Sequence, residues 1–276
     1  MFSKIFDVST SLSGIKNDSI IAISGFNMAT TPEYLILELY KQYNEHGHPK
    51  NLFIISDALP AVPGRALDQI GESLYKKPNQ EFIRGALMPF LGFSPWFQKL
   101  VTDNRIECYG WPIGVTAYWF REIGSGRPGL LTKIGVDTFL DPRQDSAALN
   151  ELAKRNASCH VSVIDIDGED YLLYQAPKPN YAMIRASVSD ENGNVLEEIA
   201  PVVDLQGDIL SNMKFTPVLV NSIKEMDKRI FNAGKMGIRD EVMHTIKYIT
   251  VTFIAILESF LDLFCCGITA FLGHMN

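Results

Sequence analysis

An α/β fold, an open and mostly parallel sheet with helices on both faces, is predicted by two features of the 276-residue sequence. Short apolar runs rich in β-branched residues alternate with segments that open like helices, a pattern that makes strands parallel and their crossovers helical. Beyond Cys159 the texture changes to alternating residues around Asp167-Gly168, the mark of a small antiparallel subregion. A third feature, the long apolar run from Met243 to Leu272, adds a C-terminal apolar helix.

The elements follow in order. Ser19 to Ser24 reads as a buried parallel strand ending at Gly25. Thr31-Pro32-Glu33 opens a helix with an N-cap hydroxyl, a proline at the first helical position and an acid at the positive end of the dipole. Leu35, Leu37, Leu39 and Tyr43 carry that helix to about Glu45. A strand over Leu52–Ser56 comes after the polar break at His48-Pro49. Further strands are expected at Glu81-Phe82-Ile83 and near Ile106, with helices begun by Ser94-Pro95 and running across Thr116 to Ile123. Val161–Ile166 and Tyr171–Tyr174 form a hairpin. Tyr181 to Val188 and the turn Glu191-Asn192-Gly193-Asn194 extend the antiparallel section. Phe215 to Phe231 has the pattern of an amphipathic helix.

Composition excludes several classes. Hydrophobic content of 46% with 21% charged residues is ordinary for a globular chain with a full core. The net charge of -7 and the lack of any basic stretch argue against nucleic acid. Cys108, Cys159, Cys265 and Cys266 show no ligand spacing, which fits a reducing, cytoplasmic setting. Met1 to Asn17 does not read as a secretory signal. His46 and His48 sit at a helix end, and His160, His244 and His274 have no partners at ligand spacing, so no metal site is expected. In Met243–Leu272, Glu258 and Asp262 lie one turn apart on one face; a central acid costs about 3 kcal/mol on the insertion scale, which favours a packed helix over a membrane span.

The glycine and proline density between Gly124 and Gly135 describes a long ordered loop, too interrupted for a helix or a strand interior. The turn from Ser24-Gly25-Phe26 into the Pro32 helix leaves free N–H groups that suit a phosphate or carboxylate.

Together these segments resemble the first half of the family I coenzyme A transferases, most closely the acetate/propionate group. The matching residues are Ser24-Gly25-Phe26 with Pro32-Glu33, Gly92 to Phe97, Gly126 to Lys133, Thr138-Phe139, Asp141-Pro142-Arg143, and the hairpin ending Asp190-Glu191-Asn192-Gly193-Asn194. The resemblance implies a first domain over residues 1–198 on the sheet common to these transferases and sugar-phosphate isomerases, a divergent helical extension over 199–240 and an apolar segment over 241–276. It implies that Gly25, Phe26, Asn27, Met28, Ala29, Gly114 and Thr138 approach CoA or acyl-CoA, which is a substrate and not a resident cofactor. In the family a glutamate attacks the acyl-CoA thioester, CoA passes to the glutamyl group, and an incoming short-chain carboxylate takes it. That glutamate belongs to a second domain, so no catalytic residue is expected in this chain. A second-half subunit or a homo-oligomer is implied. Glu191-Asn192-Gly193 imitates the nucleophile motif but is read as a solvated turn.

Four departures fall on loops that should face the ligand. Asn27-Met28-Ala29-Thr30 stands where the family's first loop has further glycines. Pro112-Ile113-Gly114 replaces Pro-Gln-Gly. Asp137-Thr138-Phe139 replaces Gly-Thr-Phe. Ser146-Ala147-Ala148 replaces Gly-Gly-Lys. A second reading, a catalytically inactive relict serving as a CoA-binding or interaction module, therefore stands beside the first. A sugar-phosphate isomerase would leave the Gly92–Arg143 matches unexplained.

Overall fold

The computed structural model describes residues 6–28, 31–185, 188–189 and 195–196. The elements are α1 (Val8–Leu12), β1 (Ile20–Ile23), α2 (Glu33–His46), β2 (Leu52–Ile55), β3 (Ala61–Val62), β4 (Arg65–Ala66), α3 (Leu67–Lys76), β5 (Ile83–Leu87), α4 (Pro95–Thr102), β6 (Glu107–Tyr109), α5 (Ile113–Gly124), β7 (Leu130–Thr132), α6 (Glu151–Asn156), β8 (His160–Ile166), β9 (Glu169–Gln175) and β10 (Tyr181–Met183). A short pair, β11 (Val188–Ser189) and β12 (Val195–Leu196), completes them. The amphipathic helix expected at Phe215–Phe231, the apolar run at 243–272, and Ala29, His244, His274, Cys265 and Cys266 lie outside the described residues.

Five strands form a parallel sheet in the order β10-β1-β2-β5-β6. Both faces are buried, which is why these strands read as continuous apolar runs. Ile21, Ile23, Leu52, Ile54 and Met183 pack on one face with the apolar sides of α1 to α4. Ala22, Phe53, Ile55, Leu87, Tyr109 and Ala182 point to the other face, where Trp119 and Phe120 of α5, Ala153 of α6 and residues of the antiparallel sheet meet them. A register shift against Leu52 and Phe53 leaves Arg84 unpaired in β5. Gly85 then sits between Phe53 and Glu107, where any Cβ would collide with both side chains. At the far edge, Tyr109 of β6 makes an antiparallel bridge to Ala148.

The second sheet corrects two readings. Leu130–Thr132 is a strand, β7, paired with β9 in the order β7-β9-β8, so the glycine-rich segment is not loop throughout. Glycine and proline flank that strand and leave only three residues of it, all extended. Tyr181–Met183 does not extend the antiparallel section. It joins the main sheet parallel to β1, as an apolar segment re-entering the core. Asp167-Gly168 makes the expected hairpin turn, with φ of 55° and 81°. The turn Glu191-Asn192-Gly193-Asn194 lies outside the described residues, between strands that pair antiparallel.

Helix ends are set less locally than the sequence suggests. Thr31 is not a side-chain cap for α2: its hydroxyl donates to Asn27 O at 2.7 Å, and the helix begins at Glu33 after Pro32. Gly47, at φ 72°, closes α2 in the left-handed conformation. Ser94 makes no side-chain cap for α4. The buried Asp68 of α3 does so, accepting from Trp96 N at 2.9 Å and from Ser94 Oγ at 2.8 Å. Its other oxygen takes Gly64 N at 2.7 Å, tying the β3–β4 hairpin to α3 and α4.

Asp68→Ala strands the buried Ser94 hydroxyl and the partly buried Trp96 N–H, each costing about 1–3 kcal/mol, while the exposed Gly64 N–H can turn to water. Urea denaturation should show a loss of about 2 kcal/mol or more; a loss below about 1 kcal/mol would contradict this role.

Candidate functional site

In an open parallel sheet, ligands bind outside the carboxyl ends of the strands, at the point where the connections diverge. Here the chain leaves β1 toward β2, while β10 returns on the other side of β1. Around that point run the loops Ser24–Thr31 after β1, Ser56–Pro60 after β2, Met88–Ser94 after β5, Gly110–Pro112 after β6 and Ile184–Arg185 after β10.

The first loop is pinned from three sides. Ser24 N donates to Met183 O at 3.0 Å, Asn27 N donates to Leu59 O at 2.9 Å, and Ser56 Oγ donates to Ile23 O at 2.7 Å. Gly25 has φ 127° and lies so close to Thr31 that a side chain there would strike it. Asn27 holds φ 55°. Its Oδ1 is buried without a hydrogen-bond partner. Gly25 is buried, and Phe26, Asn27 and Met28 are half-buried beside it. Arg185 Nη1 reaches Met28 O at 3.4 Å.

Gly114 stands apart, at the end of β6. Three strand spacings separate β1 from β6, about 14 Å. Pro112 gives α5 no side-chain cap, the space where a Gly114 side chain would lie is open, and Ile113 is 49% exposed. Thr138 belongs to the loop between β7 and α6, and its hydroxyl donates to Gly135 O at 2.7 Å within that loop. The structure thus gathers Gly25 to Met28 on one loop and separates them from Gly114 and Thr138.

Three of the four departures from the family pattern include residues at positive φ; the fourth, at Ile113, lies in α5. Asn27, Asp137, Ser146 and Ala147 have φ of 55°, 60°, 54° and 60°. This is the left-handed region that glycine enters freely and other residues enter at a cost of about 1–2 kcal/mol.

Asp141-Pro142-Arg143 is a structural lock. The buried Asp141 accepts from Asp137 N at 3.0 Å, from Arg143 N and Nε at 2.9 Å each, and from Arg143 Nη2 at 2.6 Å. Arg143 Nη1 also reaches Asp170 of β9 at 2.6 Å. The Arg143 guanidinium holds the Asp141 carboxyl well below the usual carboxylate range. Burial pushes the Cys108 thiol up to about 12 and raises Cys159 well above its ordinary value, so neither is poised as a nucleophile. Among the described residues no group of His, Cys, Asp and Glu is arranged to hold a metal.

One residue was missed in the sequence. Asp57, 6% exposed, follows β2 directly at the carboxyl edge. Burial pushes its carboxyl up to about 6, against weaker help from its own and the Ala58 N–H groups, and no charged neighbour contributes. The available signal was an acid immediately after an uninterrupted apolar strand.

A mostly parallel sheet with helices on both faces and a glycine-turned loop at its carboxyl edge belongs to the open α/β class, in which ligands bind outside the carboxyl ends of the strands. Within that class the chain belongs to the coenzyme A transferase family, whose model matches residues 7–252. It is 29% identical over 228 residues to the caffeate CoA-transferase of Acetobacterium woodii, covering 78% of this chain and 41% of that protein. It is 28% identical over 194 residues to the alpha chain of the acetoacetyl-CoA:acetate/butyrate CoA transferase of Clostridium acetobutylicum, covering 70% of this chain and 75% of that one. The acyl-CoA transferase of Escherichia coli O157:H7, solved as a thioester complex with CoA, shares the fold with a TM-score of 0.67 at 24% identity, over 77% of this chain and 41% of that one. The chain thus spans about two fifths of the caffeate transferase.

Because its folded pKa is raised, Asp57 favours the fold in its neutral form. Stability should fall as pH rises from about 4 to about 6, by up to about 3 kcal/mol. Asp57→Asn should recover most of that at pH 7.5 and little at pH 4; equal effects at both would show that the carboxyl is not held up by burial. Ser146→Gly should stabilise by about 0.5 kcal/mol in the same assay through relief of its positive φ, and a loss of stability would contradict the strain.

Proposed function

We propose that this chain is the first half of a CoA-transferase that moves CoA between a short-chain acyl-CoA and a carboxylate of the acetate, propionate or ketoacid type. The glutamate that carries the acyl and CoA groups would come from a second half, on a partner subunit or on a continuation of the chain, in a cytoplasmic assembly. The observation that supports this best is the family match over residues 7–252. In this reading Gly25, Phe26, Asn27, Met28 and Ala29 line the acyl-CoA path. Gly114 and Thr138 lie at its far side.

The residues of this chain bind, orient and exclude water, and none of them attacks the thioester. Ile113 supports a second reading. An exposed apolar side chain stands at the first position of α5, where the family pattern has an amide able to polarise the acyl carbonyl. A CoA-binding module without turnover would keep the loop and lose that amide.

The test is turnover of acetyl-CoA with propionate by the full chain alone and with candidate second-half proteins, beside calorimetry with CoA. The chain alone should bind CoA and stay at background turnover, and a partner half should restore activity. Binding with no active partner would favour the module. Absence of CoA binding, or turnover by the chain alone that Glu191→Gln abolishes, would overturn the assignment.

A further inference from the structure

Among the described residues, side-chain polar atoms buried without a partner are few: Asn27 Oδ1, Trp111 Nε1 and Trp119 Nε1. An unsatisfied buried group is costly, so its position needs a reason. Asn27 lies in the loop after β1, at the carboxyl edge. The loop after β2, joined to it by Asn27 N to Leu59 O at 2.9 Å, carries Asp57. That carboxyl is 6% exposed and takes no ion pair, and its only hydrogen-bonding help comes from the backbone N–H of itself and Ala58. The other buried acids of the described region are treated differently. Asp68 accepts three donors, Glu107 meets Arg84, Tyr109 and Ser158, and Asp141 is clasped by Arg143. Asp57 alone among them is left without donors from elsewhere, and it is the one beside the proposed ligand path.

We infer that Asp57 and Asn27 Oδ1 are acceptors for the amide N–H groups of the pantetheine arm of an acyl-CoA. This rests on the acyl-CoA reading and adds which part of the ligand meets which residues. Two acceptors on neighbouring loops call for a ligand that brings hydrogen-bond donors. The phosphates of CoA are anionic acceptors and would be repelled by Asp57. The thioester carbonyl is likewise only an acceptor. The pantetheine arm is neutral, slender and carries secondary amides, each a single N–H donor. A carboxylate held in apolar surroundings and left short of donors makes a strong hydrogen bond once an N–H arrives, because the competing water is absent.

The experiment is calorimetric titration of the full chain with pantetheine, with CoA and with adenosine 3′,5′-bisphosphate, which has two of the three phosphates of CoA and no amide arm. Asp57→Ala should weaken pantetheine and CoA about tenfold or more. Asn27→Gly, which suits the backbone at φ 55° while removing the acceptor, should weaken them about fivefold. The bisphosphate should stay within twofold of its parent affinity in both variants, and the melting temperature of Asp57→Ala should be no lower than the parent's. A buried acid with a merely structural task would lower it. If CoA binds and Asp57→Ala leaves pantetheine and CoA affinity unchanged, this inference fails while the CoA reading stands. Equal weakening of the bisphosphate would also overturn it. Failure of both pantetheine and CoA to bind the parent chain would remove both readings.

Discussion

The layer that carries α5, α6 and the antiparallel sheet rests on one buried carboxylate, Glu107. It is 1% exposed on β6 and accepts from Arg84 Nη1, Tyr109 Oη and Ser158 Oγ. A buried charge is tolerable only when its lone pairs are met, and here each donor comes from a different structural decision. Arg84 is available because β5 is bulged at that residue, and its guanidinium also lies 4.8 Å over the Phe53 ring. Room for the carboxylate exists because residue 85 is glycine. Tyr109 passes the arrangement on: its single hydroxyl proton is shared between Glu107 Oε2 and Ala153 O of α6, and its oxygen accepts from Ser158 N, the segment that leads into β8. The register of the main sheet and the seat of the second sheet are therefore one problem with one solution.

Several loops hold non-glycine residues in the left-handed region through contacts with their surroundings. Left-handed φ at Asn27, Asp137, Ser146 and Ala147 is maintained by surroundings that over-determine it. Asn27 is held through Leu59, Asp137 through the Asp141 carboxylate, and Ala147 through bonds to Phe139 and Gly110. Asn and Asp enter this region at less cost than most residues, while Ser146 and Ala147 rely on the loop around them.

Much of the fold was legible because its signals are local. The β-branched runs at Ile20–Ile23 and Leu52–Ile55, proline at the first turn of α4 and the Asp167-Gly168 hairpin each specify their structure within a few residues. What was not legible depends on distant partners. Leu130–Thr132 becomes a strand only because β9 is there to pair with it, and Tyr181–Met183 joins the parallel sheet because the flank of β1 is open to it. Thr31 looks like a cap and is instead drawn to the Asn27 carbonyl, while α4 is capped by an acid 28 residues away in sequence. The Gly25–Met28 loop could be placed from the turn after β1 alone. Asp57 could not be weighted, since its isolation from donors is a property of burial and not of spacing.

The bridge between Tyr109 and Ala148 has a further consequence. β6 is the last strand of the main sheet, and a bare parallel edge is a template on which another chain can add. Here Gly110 N donates to Ala147 O and Leu149 N donates to Cys108 O, both at 2.9 Å, so residues 147–149 occupy that edge. The consecutive left-handed residues Ser146 and Ala147 turn the chain into this position. Their strain therefore also protects solubility: a loop that relaxed to ordinary φ would uncover hydrogen-bonding groups on β6 and open the sheet to intermolecular growth.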